Sequence, residues 1–138
     1  MATTEPESLL LDTHALLWWQ ADSDLLSARA RRLIDAAPRL FLSAISLWEI
    51  ATMVGQGTIA LDRPTQMWVH DLLADGIITV AELTPTIAVA AAQLDDFQGD
   101  HADSIIYATA VHHQLVLVTK DPILADYARS HGDAIIEW

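Results

Sequence analysis

The chain has 138 residues, 52% of them hydrophobic, which suits one domain with a sizeable buried core. It holds no cysteine, excluding disulfides and thiolate metal sites, and its net charge of −12 (19 acidic against 7 basic residues, with Lys120 the single lysine) argues against a phosphate-neutralising basic surface. No apolar run approaches the ~20 residues of a membrane span, and an N-terminus carrying Glu5 and Glu7 lacks the basic opening of a secretory signal, so a cytoplasmic protein is expected.

In chain order, residues 1–7 read as a loose tail and residues 8–138 as one domain. Leu9-Leu10-Leu11 is a short apolar run of the kind found in buried parallel strands. The chain then breaks at Asp12 and resumes as a short helix that Thr13 can cap. Ser27–Asp35 reads as a capped helix, Arg39–Ser43 as a second strand, and Ser46–Val54 as a helix ended by Gly55 and Gly57. Pro64–Ala74 is a helix stopped by Gly76, Ile77–Val80 a third strand, and Pro85–Leu94 an alanine-rich helix. After a loop over 95–99, Asp100–Gln114 is helical. Leu115–Thr119 is the clearest strand, β-branched and uninterrupted. Pro122–Ser130 is a helix with proline in its first turn, and Ala134–Glu137 a short final strand. Strands alternating with helices predict an α/β domain with a mainly parallel sheet.

Four acids take equivalent places in this pattern. Asp12 follows the first strand, and Glu49 lies in the first turn of the helix after the second. Asp103 opens the helix before LVLVT, and Asp121 directly follows that strand. Strand ends and helix starts share one edge of a parallel sheet, where ligands bind. Asp100 and Thr119 lie nearby. Each acid also has a purely local reading. Ser46 and Glu49 fit a capping box. Asp100 and Asp103 fit an N-cap and a dipole-facing acid. Asp121 before Pro122 fits an N-cap. Four unrelated caps, however, have no reason to share one edge. Clustered carboxylates need a counter-cation to stay ionised in a dry site. An all-oxygen donor set suits Mg²⁺ or Mn²⁺, ions that support phosphodiester hydrolysis.

The pieces LLLDTHALLWW, FLSAISLWEIA, GDHADSIIYATA and LVLVTKD occur in that order. Through them the chain resembles PIN-domain ribonucleases over residues 8–138, specifically VapC-type toxins of bacterial or archaeal toxin–antitoxin pairs. The resemblance implies a PIN-like α/β fold with a central, mainly parallel sheet of about five strands flanked by helices. It implies that Asp12, Glu49, Asp103 and Asp121 are the catalytic, metal-holding quartet. Thr13 and Thr119 correspond to hydroxyl positions beside it, and Asp100 to a frequent extra acid. It further implies an RNA substrate, a cognate VapB-type antitoxin and a homodimer within the toxin–antitoxin complex. The chain departs from the common pattern at Ser104, where many relatives carry arginine, and at His101-Ala102, where proline is common.

Other candidates carry weaker signals. Arg29, Arg31 and Arg32 form a solvated helix face or contact RNA phosphates. His14 faces outward or packs, with phosphate contact the alternative. Trp18, Trp19, Trp48 and Trp68 read first as core packing and second as a groove for a partner helix. A haloacid-dehalogenase-like phosphatase also has an aspartate after its first strand but needs an acid two positions on, where this chain has His14. A non-catalytic protein-binding module that kept the fold is the remaining alternative, and it requires no specific Mg²⁺ or Mn²⁺ site.

Overall fold

Five short apolar stretches pair into one sheet in the computed structural model, which describes residues 7–138. The tail expected over residues 1–7 therefore lies outside the described residues, apart from the exposed Glu7. The strands are β1 (Leu9–Leu11), β2 (Leu40–Ser43), β3 (Ile78–Ala81), β4 (Val116–Val118) and β5 (Ile136–Glu137). Their order is β3-β2-β1-β4-β5, and every pairing is parallel. Seven helices connect and cover them among the described residues: α1 (Thr13–Gln20), α2 (Ala28–Ala36), α3 (Ala44–Gly55), α4 (Thr65–Ala74), α5 (Pro85–Ala92), α6 (His101–His113) and α7 (Pro122–His131). None of them is long and apolar enough to cross a membrane.

Side chains of a strand alternate between faces, so an uninterrupted apolar run is stable only where both faces are covered. β1 meets that condition. Leu9 and Leu11 pack with Leu16, Ile34, Leu42 and Ile50 on one side. Leu10 packs with Ile106, Leu117 and Leu124 on the other. Leu10 and Leu11 are fully buried, each contributing about 1.5–3 kcal/mol through removal from water.

The strand order positions the site. From β1 the chain steps outward through β2 to β3, then returns to the other flank of β1 as β4. The direction of progression reverses between β1 and β4, and a crevice opens beyond the carboxyl ends of strands at such a switch point. Leu11 pairs with Val118, so Asp12 and Thr119 leave the sheet side by side.

Three expected boundaries shift for local reasons. Asp12, not Thr13, caps α1, accepting the Thr13 N–H with its side chain. α3 starts at Ala44 because Ser43 caps it, which places Glu49 in the second turn and excludes the Ser46–Glu49 capping box. β3 begins at Ile78: Gly76 turns the chain at φ +75°, and the Ile77 N–H donates to Asp75 Oδ1, leaving Ile77 outside the ladder and exposed.

Candidate active site

Asp12 is held at the end of β1 by two donors. Its N–H continues the ladder to the Val118 carbonyl at 3.0 Å. Its Oδ1 accepts the Thr13 N–H at 2.7 Å, and its Oδ2 accepts the Thr119 hydroxyl at 2.7 Å. The residue is only 9% exposed. Burial raises its carboxyl above the ordinary aspartate range, and the bonds from Thr119 and Thr13 partly offset this. Thr119 also accepts the Asp121 N–H at 3.1 Å, tying the two acids into one unit.

Glu49 projects from α3 toward the same place. Its Oε1 lies 2.6 Å from Thr13 Oγ1, which in turn lies 2.8 Å from the fully buried Ser46 Oγ. A hydroxyl has one proton, so with Thr13 donating to Glu49 the Ser46 hydroxyl supplies the other bond. Burial raises the Glu49 carboxyl, against the Thr13 bond. Ser46 and Thr13 are thus a two-hydroxyl relay that fixes Glu49, rather than caps. Replacing Thr13 by Val would leave the buried Ser46 hydroxyl without this partner. The expected loss is about 1–3 kcal/mol by denaturant unfolding, with Thr13→Ser close to the parent.

Asp100 and Asp103 form a true capping box at the start of α6. Asp100 Oδ1 accepts the Asp103 N–H at 2.8 Å, and Asp103 Oδ2 accepts the Asp100 N–H at 3.4 Å. The local reading of this pair is correct and compatible with a second role, because Asp103 also faces the crevice. Burial, then the charges of Asp100, Asp121 and Asp12, push its carboxyl up to about 7. Asp121 is likewise both the N-cap of α7, accepting the Ile123 N–H at 2.9 Å, and a wall of the crevice.

The loop before this cap is wedged by aromatics. Phe97 packs edge-on to Tyr127 at 4.9 Å, and Tyr127 edge-on to Tyr107 at 5.0 Å. A Cβ on Gly99 would lie 2.5 Å from the Phe97 ring and 3.0 Å from Asp103 Cβ. Gly99→Ala should therefore cost about 1–3 kcal/mol through overpacking, read as a lowered unfolding midpoint.

All five acids line one cavity of about 520 Å³ at the switch point. Lys120 and His14 are the basic side chains in its wall, and Trp18 closes one side. The structure thus gathers Asp12, Thr13, Glu49, Asp100, Asp103 and Asp121 as expected, with Thr119 directly beneath. It does not bring Arg29, Arg31 or Arg32 there. Arg29 pairs with Glu137 at 2.7 Å and Arg31 with Asp22 at 2.7 Å. Arg32 lines a separate cavity beside Leu9 and Val116, which open their strands at the opposite edge of the sheet. Sequence reasoning missed Ser46, Lys120 and Trp18 as parts of the site. Lys120 had a usable signal, since it stands between two crevice residues.

Among the described residues, no group of three or more acidic or imidazole side chains is arranged to hold one metal ion as the side chains stand. Asp12, Glu49 and Asp103 instead rest on protein donors, as described above. The donor chemistry nonetheless fits a hard divalent cation: the cavity offers five carboxylates and no sulfur, against one lysine. Burial first, and then this crowded charge, drives Asp103 toward neutrality.

Residues 9–130 match the family model described as PIN domain. The chain is 42% identical over 132 residues to Ribonuclease VapC22 of Mycobacterium tuberculosis, covering 95% of this chain and 98% of that protein. Solved structures share the fold at lower identity. FitAcB from Neisseria gonorrhoeae superposes with a TM-score of 0.64 at 22% identity, covering 93% of this chain and 95% of that one. VapBC2 from Rickettsia felis, bound to a DNA fragment from its promoter, gives 0.66 at 15%, covering 95% and 98%. A toxin–antitoxin complex from Klebsiella pneumoniae gives 0.63 at 23%, covering 94% and 96%. The pattern match and the near full-length relative agree with the geometry of the crevice, and the chain belongs to the PIN-domain family, among the VapC ribonucleases.

Proposed function

We propose that the chain is the toxin of a toxin–antitoxin pair, an endoribonuclease that hydrolyses RNA phosphodiester bonds in the cytoplasm with Mg²⁺ or Mn²⁺. The observation that carries this reading is the convergence of five carboxylates on one cavity at the switch point. Asp12, Asp103, Asp121 and Glu49 would hold the metal. When bound, the ion supplies charge neutralisation and an activated water. The residues of the chain supply the frame. Thr13 N–H and Thr119 aim both oxygens of Asp12, and the Ser46–Thr13 relay aims Glu49. Burial, and then the charges of Asp100, Asp121 and Asp12, raise the Asp103 carboxyl, and a bound cation would offset that crowding.

An unrestrained ribonuclease harms its host, so a VapB-type antitoxin is the expected partner, and a homodimer the expected form within that complex. The solved relatives in toxin–antitoxin complexes support this reading. Without a cation, the crevice suits a basic side chain from the antitoxin, through a charge-assisted pair. Expression of the chain alone in a bacterial host should arrest growth and yield RNA fragments with discrete ends, both suppressed by the antitoxin. Normal growth with an intact RNA population would contradict the reading.

A further inference from the structure

His14 and Trp18 stand one turn apart on the same face of α1, the helix that Asp12 caps. Both line the acidic cavity, and both also line a second, mainly apolar cavity of about 430 Å³ built from Leu17, Ile59, Leu61 and Trp68 together with Gln20, Asp62 and Arg63. Trp18 is thus the shared wall between the acids and an apolar hollow. Its ring is held from several sides. Trp138 packs edge-on at 5.7 Å, His14 is tilted at 5.6 Å, and the indole rests on the core cluster below β1. Lys120 Nζ stands 5.9 Å from the ring centroid. Trp18 lies six residue steps beyond Asp12, about 9 Å along the helix axis.

Taken with the ribonuclease reading, on which this inference rests, the arrangement resolves a charge problem. A net charge of −12 repels a polyanion, and Lys120 is the single lysine. Beyond the charge a bound cation neutralises, affinity for RNA then draws on contacts that need no basic side chain. Stacking of a base on an indole needs no positive charge and accepts any base. Bases within a duplex are already stacked on each other, so such a platform selects unpaired strands.

We propose that Trp18 and Lys120 form a base-stacking subsite for an unpaired nucleotide flanking the scissile phosphate, with the base in the apolar hollow and its phosphate facing Lys120.

The test uses the full chain carrying Asp12→Asn, so that RNA is not consumed, with Mg²⁺ present. Fluorescence anisotropy measures binding to a labelled short oligoadenylate and to an abasic ribose-phosphate oligomer of equal length. Trp18→Leu is expected to weaken oligoadenylate binding about 5- to 100-fold and to leave the abasic oligomer unchanged. Trp18→Phe should recover most of the loss. Lys120→Gln should weaken both oligomers and flatten their salt dependence. Because the comparison is between two ligands of one variant, a partly unfolded Trp18→Leu chain would lose both alike and could not imitate the expected result. Equal loss of both oligomers by a Trp18→Leu chain whose melting curve matches the parent, or no loss of either, overturns the subsite. So does a Trp18→Leu chain that keeps base-dependent binding but no longer binds its antitoxin, which would give the ring to the protein partner. Cleavage by the parent chain, followed in parallel, separates the two levels. Normal cleavage with base-independent binding overturns the subsite alone, whereas no cleavage overturns the ribonuclease reading and the subsite with it.

Discussion

Asp12→Asn is expected to lower RNA cleavage by more than about 100-fold while leaving the protein folded. Removing groups that merely orient a metal ligand costs about 10- to 100-fold, so neutralising a ligand itself should cost at least as much. The fold should survive because asparagine is an equally good N-cap, and its Oδ1 can still accept the Thr13 N–H. The amide nitrogen would face Thr119, whose hydroxyl can rotate to accept from it. The substitution also removes one charge from a crowded cluster, so the melting temperature without metal should hold or rise. Cleavage assays and circular dichroism melts on the same preparation check both halves.

Asp103→Asn should separate activity from stability through pH. The Asp103 carboxyl is raised in the fold to about 7 from an ordinary value of 3.8, by burial first and then by Asp100, Asp121 and Asp12. The folded state therefore binds a proton more tightly than the unfolded state does. Stability from this group is fully present below about pH 4 and is lost as pH rises to about 7, the reverse of a salt-bridged aspartate. Without metal, Asp103→Asn should be more stable than the parent at pH 8, and the difference should vanish toward pH 4. The group is partly solvated, so the gain after screening is on the order of 1 kcal/mol, a few degrees in melting temperature. Cleavage by the same variant should fall by more than about 100-fold. A melting difference independent of pH would contradict this account of Asp103.

The framework was legible because apolar runs and caps are local signals. LLL and VLV announce buried strands by composition alone, and Asp12 and Asp121 announce themselves by following such strands directly. Glu49 was legible as a crevice residue but not in its setting. The Ser46–Thr13–Glu49 relay joins residues more than thirty positions apart, and Ser46 looked like a cap only because the true cap, Ser43, lies within the end of a strand. Arg29, Arg31 and Arg32 were legible as a basic stretch of one helix but not in their placement. Arg29 and Arg32 lie one turn apart while Arg31 faces away from Arg29, and only the packing of α2 decides which end of the sheet they meet. Trp18 was legible as an amphipathic position. That it walls the crevice depends on its contacts with Trp138 and Lys120, which no local pattern encodes.

The central claim is that these carboxylates form a metal-dependent centre for RNA hydrolysis. The most direct test follows cleavage of a fluorogenic single-stranded RNA by the purified, antitoxin-free chain after chelation, during titration with Mg²⁺, Mn²⁺ or Ca²⁺. The account predicts no cleavage after chelation, saturable recovery with Mg²⁺ or Mn²⁺, and no recovery in Asp12→Asn at any metal concentration. Cleavage that persists in chelator, or that Asp12→Asn retains at the parent rate, would contradict it.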